Sequence, residues 1–85
     1  MTENKEKLTH RIKIIRGHIN AIEKMIEEDK YCIDIIHQSL AVQKALKKLD
    51  SVVMADHIKH CVVDQAKKGN FDKITKELLN IYEYK

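Results

Sequence analysis

The chain is predicted to be all-α on three observations. Its 85 residues contain no proline and only two glycines. Its commonest residues include Lys, Glu, Ile, Leu and Ala, which favour or tolerate helix. Its apolar side chains recur at intervals of three and four rather than two, so no strand pattern competes. A chain this short forms one domain, spanning residues 1–85, and buries a modest fraction of its surface alone, so association with further copies is expected to supply part of the core.

Met1 to Lys7 are polar and without apolar period, and are expected to form a frayed lead. From Leu8 the series Leu8, Ile12, Ile15, Ile19, Ile22, Ile26 draws the narrow stripe of a helix laid along a partner helix. Gly17 interrupts that helix at a cost of about 1 kcal/mol relative to alanine, and its small size offers a place where another backbone can approach. Glu27 to Lys30 break the stripe, and Asp29 is the expected N-cap of the second helix, which begins around Tyr31. That helix runs to Lys68. Its apolar residues Ile36, Leu40, Ala41, Val42, Ala45, Leu46, Leu49, Val52, Val53 and Met54 cover too broad an arc for one small neighbour, so it is expected to be central and covered on two sides. Gly69 suits the position just past a helix end and Asn70 the next N-cap. A third helix of roughly three to four turns follows, with Phe71, Ile74, Leu78 and Ile81 on one face. The aromatic complement is Phe71, Tyr31, Tyr82 and Tyr84, with no internal repeat and no low-complexity segment.

No apolar run is long enough to span a bilayer and none resembles a signal peptide, so the expected location is the cytoplasm. There, two cysteines serve metal or redox chemistry more often than a structural disulfide. The net charge of +3 and isoelectric point near 8.9 permit nucleic-acid binding without arguing for it.

The chemistry lies at the two ends of the second helix. On steps of 100° Cys32, His57 and Cys61 fall within about 40° of one another, so the three face the same way. His57 and Cys61, at i and i+4, can share one metal ion. At a rise of about 1.5 Å per residue, however, Cys32 and His57 stand roughly 37 Å apart, and one chain cannot close a site with all three. A second copy packed antiparallel brings its Cys32 beside the first copy's His57 and Cys61, and the two-fold axis repeats the site. Two thiolates and one imidazole make a soft set of three that favours Cu(I), while zinc with water as a fourth ligand also satisfies it. A buried free cysteine is commonly just a small hydrophobe. What weighs against that here is the convergence of both cysteines with a histidine. A cysteine nucleophile with a histidine base is disfavoured by the absence of a glycine-rich turn and an oxyanion nest, and nothing else looks catalytic. His10, His18, His37 and His60 read as surface or partly buried side chains.

Lys5, Lys7, Arg11, Lys13 and Arg16 crowd the first helix, and Lys44, Lys47 and Lys48 one polar strip of the second, beside His37 and Ser51. Singly they read as solvated charges. Repeated by two-fold symmetry they form a surface able to contact phosphates, though not by a helix-turn-helix geometry.

Arg11, Arg16-Gly17-His18, Tyr31-Cys32, Ala41-Val42-Gln43, His57-x3-Cys61 and Glu77-Leu78 together resemble the copper-sensitive operon repressor (CsoR) family, from about Leu8 to Ile81. The resemblance implies a three-helix protomer with two long helices and a short third, dimers assembled into a tetramer, and repression of copper-efflux genes in bacteria. It implies Cu(I) held by Cys32 of one protomer and His57 and Cys61 of the other. Tyr31 and Glu77 stand where that family supports the histidine, and Arg11, Lys48 and more weakly Arg16 where it contacts DNA. Nickel and cobalt sensors of similar sequence carry histidine in place of Cys61, formaldehyde sensors also lack that cysteine, and persulfide sensors lack the histidine at position 57. The first expectation is therefore a Cu(I)-responsive repressor of double-stranded operator DNA and not an enzyme. The alternatives are a persulfide- or redox-sensing repressor working through Cys32 and Cys61, and a cytosolic copper-binding module without DNA binding.

Overall fold

A computed structural model describes residues 4–84, all-helical apart from short turns, with no strand among the described residues. Helix α1 spans Lys5–Glu27, α2 Cys32–His57, a π-helical segment Ile58–Val62, α3 Val63–Lys67 and α4 Phe71–Glu83. Residues Cys32 to Lys67 run on without a break, so α2, the π segment and α3 form one rod. At 1.5 Å per residue 36 residues give about 54 Å, matching the longest dimension of the molecule, 55 Å. Helix α1 starts three residues before Leu8, so Lys5, Glu6 and Lys7 belong to the first helix rather than to a frayed lead, while residues 1–3 lie outside the described part.

Both helix ends are set by a residue in the left-handed region. Gly69 has φ +78°, and its N–H and that of Asn70 donate to the carbonyls of Ala66 and Gln65 at 3.0 and 2.9 Å, the paired bonds that close a helix C-terminus. The first helix ends the same way: Asp29 and Lys30 donate to Ile26 and Met25 at 3.2 and 3.0 Å, with Asp29 at φ +53°. Asp29 is therefore the stop of α1 and not the N-cap of α2, a position taken by Tyr31 without a capping side-chain bond. Asn70 does occupy the N-cap position of α4, also without such a bond. Because a left-handed conformation strains a Cβ-bearing residue, Asp29→Gly is expected to raise stability by about 0.5 kcal/mol, the strain relief being partly offset by a freer unfolded chain. Urea unfolding at fixed protein concentration checks it: the midpoint should rise at unchanged slope.

Helix α1 folds back along α2 through the four-residue connection 28–31, the arrangement of an antiparallel helical hairpin. The stripe makes that contact, but only partly. Leu8 and Ile15 are buried, Ile12 and Ile22 half-buried, and Ile19 and Ile26 exposed. On α2 Val42 is buried while Ile36, Leu40 and Leu46 remain exposed, so within the protomer α2 is covered on one side rather than two. Gly17 faces open space, and no backbone approaches it within the chain. The radius of gyration is 17.2 Å, against about 12 Å for a compact chain of this length. Helix α4 turns back at Gly69 and lays Ile74, Glu77 and Leu78 toward the rod, leaving Phe71 and Leu79 outward, while the half-exposed Ile81 borders the cleft between α4 and the rod.

Candidate metal centre and nucleic-acid surface

Cys32 is the first residue of α2, His57 its last, and Cys61 sits in the π segment that follows. Both cysteines are free, exposed thiols. Twenty-five helical steps separate Cys32 from His57, about 37 Å. Among the described residues of one protomer no group of three His, Cys, Asp or Glu side chains is placed to hold a metal ion. The chain thus brings His57 and Cys61 together where α2 ends and leaves Cys32, with the exposed Tyr31 beside it, where α2 begins.

At the His57 end, α4 contributes Glu77. Its Oε2 lies 3.8 Å from His57 Nε2, an ion-pair approach too long for a hydrogen bond, with His57 about one-quarter exposed. The two side chains sit on the rim of an open cleft of about 670 Å³ between the rod and α4. Val53, Met54 and Ile81 line it as an apolar floor, with Asp50 and Asn80 on the rim. With Nε2 turned to the carboxylate, Nδ1 is the ring nitrogen left for a metal, the division of labour usual for ligating histidines. The donors present fit a soft ion of low coordination number: two accessible thiols and one imidazole with a carboxylate 3.8 Å from its other nitrogen.

Arg11 and Arg16 on α1 and Lys48 on α2 are all exposed. Arg11 lies sixteen residues before the end of α1 and Lys48 sixteen after the start of α2, so the hairpin sets them at the same height, about 24 Å from its bend. Ser51 in the lysine strip donates back to the Lys47 carbonyl at 3.2 Å, so the strip's outward chemistry is its ammonium charge. Two features are not foreshadowed by the sequence. Asp56 is buried, its side chain 1% exposed, and stands 3.5 Å from His60. The π segment between His57 and Cys61 leaves no mark in the residue spacing; the one available signal is a second i, i+4 pair, acid and histidine, beside the first.

The family model for metal-sensitive transcriptional repressors matches residues 4–83. The chain belongs to that family. It is a family of regulators, not enzymes. Among its members the copper-sensing transcriptional repressor CsoR of Bacillus subtilis is 38% identical over 82 residues, 96% of this chain and 81% of that protein. The crystal structure of the copper-sensing repressor CsoR with Cu(I) from Geobacillus thermodenitrificans superimposes with a TM-score of 0.88 at 31% identity, covering 98% of this chain and 86% of that one. The nickel-responsive transcriptional regulator InrS superimposes at 0.72, also at 31% identity, covering 88% and 84%. The family's all-helical fold is therefore this chain's fold. No helix among the described residues is long and apolar enough to cross a membrane.

Proposed function

We propose that the protein is a Cu(I)-responsive repressor that holds its promoter when metal-free and leaves it when Cu(I) is bound, derepressing copper-resistance or efflux genes. The observation that carries this is the division of donors: Cys32 at the start of α2, His57 at its end and Cys61 one turn beyond, in a metal-sensitive repressor. Such a chain completes a site only with a second copy, so each dimer has two sites, each drawing Cys32 from one protomer and His57 with Cys61 from the other; dimers pair further into a tetramer. The copper-sensing relatives support the choice of metal, as does a cysteine rather than a histidine at position 61. Cys32 of one protomer and His57 and Cys61 of the other would hold Cu(I), which would supply a soft, low-coordinate centre. Tyr31 then comes to the His57 end with its neighbour Cys32, and His57 presents a fixed N–H to Glu77.

The test is promoter binding by the reduced protein with and without one equivalent of Cu(I) per protomer. Affinity should fall by about 5- to 150-fold, the range of ordinary allosteric coupling. Two exposed free thiols favour one other reading, a persulfide or disulfide switch through Cys32 and Cys61. Release by a persulfide donor but not by Cu(I), unaffected by His57→Ala, would select it. DNA contact falls to Arg11 and Lys48, with Arg16 adjacent. Arg11→Ala or Lys48→Ala should weaken promoter binding and shallow its salt dependence by about 0.9 logarithmic units for each phosphate no longer neutralised. Unchanged affinity and slope would make that residue a solvated charge only.

A further inference from the structure

We propose that Asp56 is a positioning residue for the His57 and Cys61 pair, acting through His60 to hold the π segment in register; this rests on the metal-site reading above. Among the described residues four are buried, and one of them is a carboxylate: Leu8, Ile15, Val42 and Asp56. Burying a carboxylate is costly unless it is well partnered, and a protomer with so small a core has little to offset that cost. Its position explains why the residue is worth burying. Asp56 and His60 are separated by four residues, as are His57 and Cys61, and the two pairs span the same turn one step apart. In a regular helix four steps carry a side chain a full turn and about 40° more. A π segment bonds each N–H one residue further back and wraps more residues into the turn, so the angle between positions i and i+4 depends on where that segment lies.

The segment here is Ile58–Val62, beginning just after His57 and containing both His60 and Cys61. Asp56 Oδ1 at 3.5 Å from His60 Nε2 therefore straddles the entry into it. Any slippage of the segment that moved Cys61 relative to His57 would move His60 relative to Asp56 by a similar amount. A buried partner on one pair thus fixes the geometry of the other. The same segment sets the direction in which α3 leaves, and through the Gly69 turn the placement of α4 and Glu77 against His57.

The experiment uses Asp56→Ala, Asp56→Asn and His60→Ala in the full-length protein. Amide hydrogen exchange is measured without metal, and Cu(I) affinity is measured by competition with a chromophoric Cu(I) chelator. In Asp56→Ala the amides of residues 58–62 should exchange at least about tenfold faster while α1 keeps its protection. Cu(I) should be held about 10- to 100-fold more weakly, the usual consequence of losing a group that orients a ligand. Asp56→Asn, which keeps the shape and an acceptor oxygen, should restore both. His60 is exposed, so His60→Ala should fold and show the same local loosening, which keeps the inference testable even where Asp56→Ala does not fold. Unchanged exchange at residues 58–62 in His60→Ala, or a uniform loss of protection in Asp56→Ala that asparagine does not rescue, would overturn it. A wild-type protein that binds no Cu(I) would instead overturn the copper reading, with the exchange of the metal-free chain still deciding the role of Asp56.

Discussion

A dimer assembled from a Cys32→Ala chain and a His57→Ala, Cys61→Ala chain is expected to bind one Cu(I) tightly, where either variant alone binds none. The reason is geometric. Cys32 and His57 are the two ends of α2, so a site shared across an antiparallel pair draws its thiolate from one chain and its His–Cys pair from the other. In the mixed dimer one end receives all three groups from unmutated positions and the other receives none. The unmixed variants lose a thiolate or two of the three donors, and with them most of a binding free energy that can reach about 10 kcal/mol or more for thiolate-rich sites. The measurement is Cu(I) stoichiometry under chelator competition for each homodimer and for the purified mixture, with helicity followed in parallel. Absence of tight binding in a well-folded mixture would rule out the antiparallel pairing.

Glu77→Ala should separate sensing from response. A ligand shifts an equilibrium only by the difference in its affinity for the two states, so Cu(I) capture must change something beyond its own three donors. The contact placed to do so is His57 Nε2 to Glu77 Oε2, 3.8 Å apart and short of hydrogen-bond contact. With Nδ1 committed to the metal, Nε2 is a fixed N–H donor and the carboxylate its natural acceptor. In the proposed relay, closing that gap would draw α4 onto the rod and leave the DNA-fitting form less favourable. Glu77→Ala is expected to bind Cu(I) about tenfold more weakly than the parent and to saturate with it still, while the coupling between metal and DNA, ordinarily about 1–3 kcal/mol, falls close to zero. Promoter titrations at saturating Cu(I) report it. Normal release from this variant would leave the ligands themselves as the switch.

Much of this architecture is legible in the residues because the signals are redundant. Gly69 marks the second turn, and its left-handed φ is one that only glycine takes without strain. The stripe from Leu8 to Ile26 draws α1, and Cys32, His57 and Cys61 stand on one continuous run of helix. Asp29 misleads because aspartate suits both an N-cap and a left-handed stop; its place in the chain decides, since Lys30 and Tyr31 still intervene before α2 begins. The π segment is illegible for a different reason. Its residues Ile58 to Val62 suit an ordinary helix, and only the backbone bonding distinguishes it. Asp56 hides behind the expectation that a charged side chain faces water.

The shortest dimension of the protomer is 14 Å, little more than one helix with its side chains. A sheet one helix thick has two faces and no middle. Beyond Leu8, Ile15 and Val42 its apolar side chains find little cover within their own chain, and in the proposed dimer the join between copies would supply the rest of the interior. In that proposed dimer folding and assembly would form a single equilibrium whose balance moves with protein concentration. A substitution at Ile36 or Leu40, exposed on the single chain, is felt twice in a two-fold assembly, once from each side. A dimer of that kind would be tuned by how much of it the cell makes as well as by what it binds: dilution would loosen it, and abundance would be part of its stability.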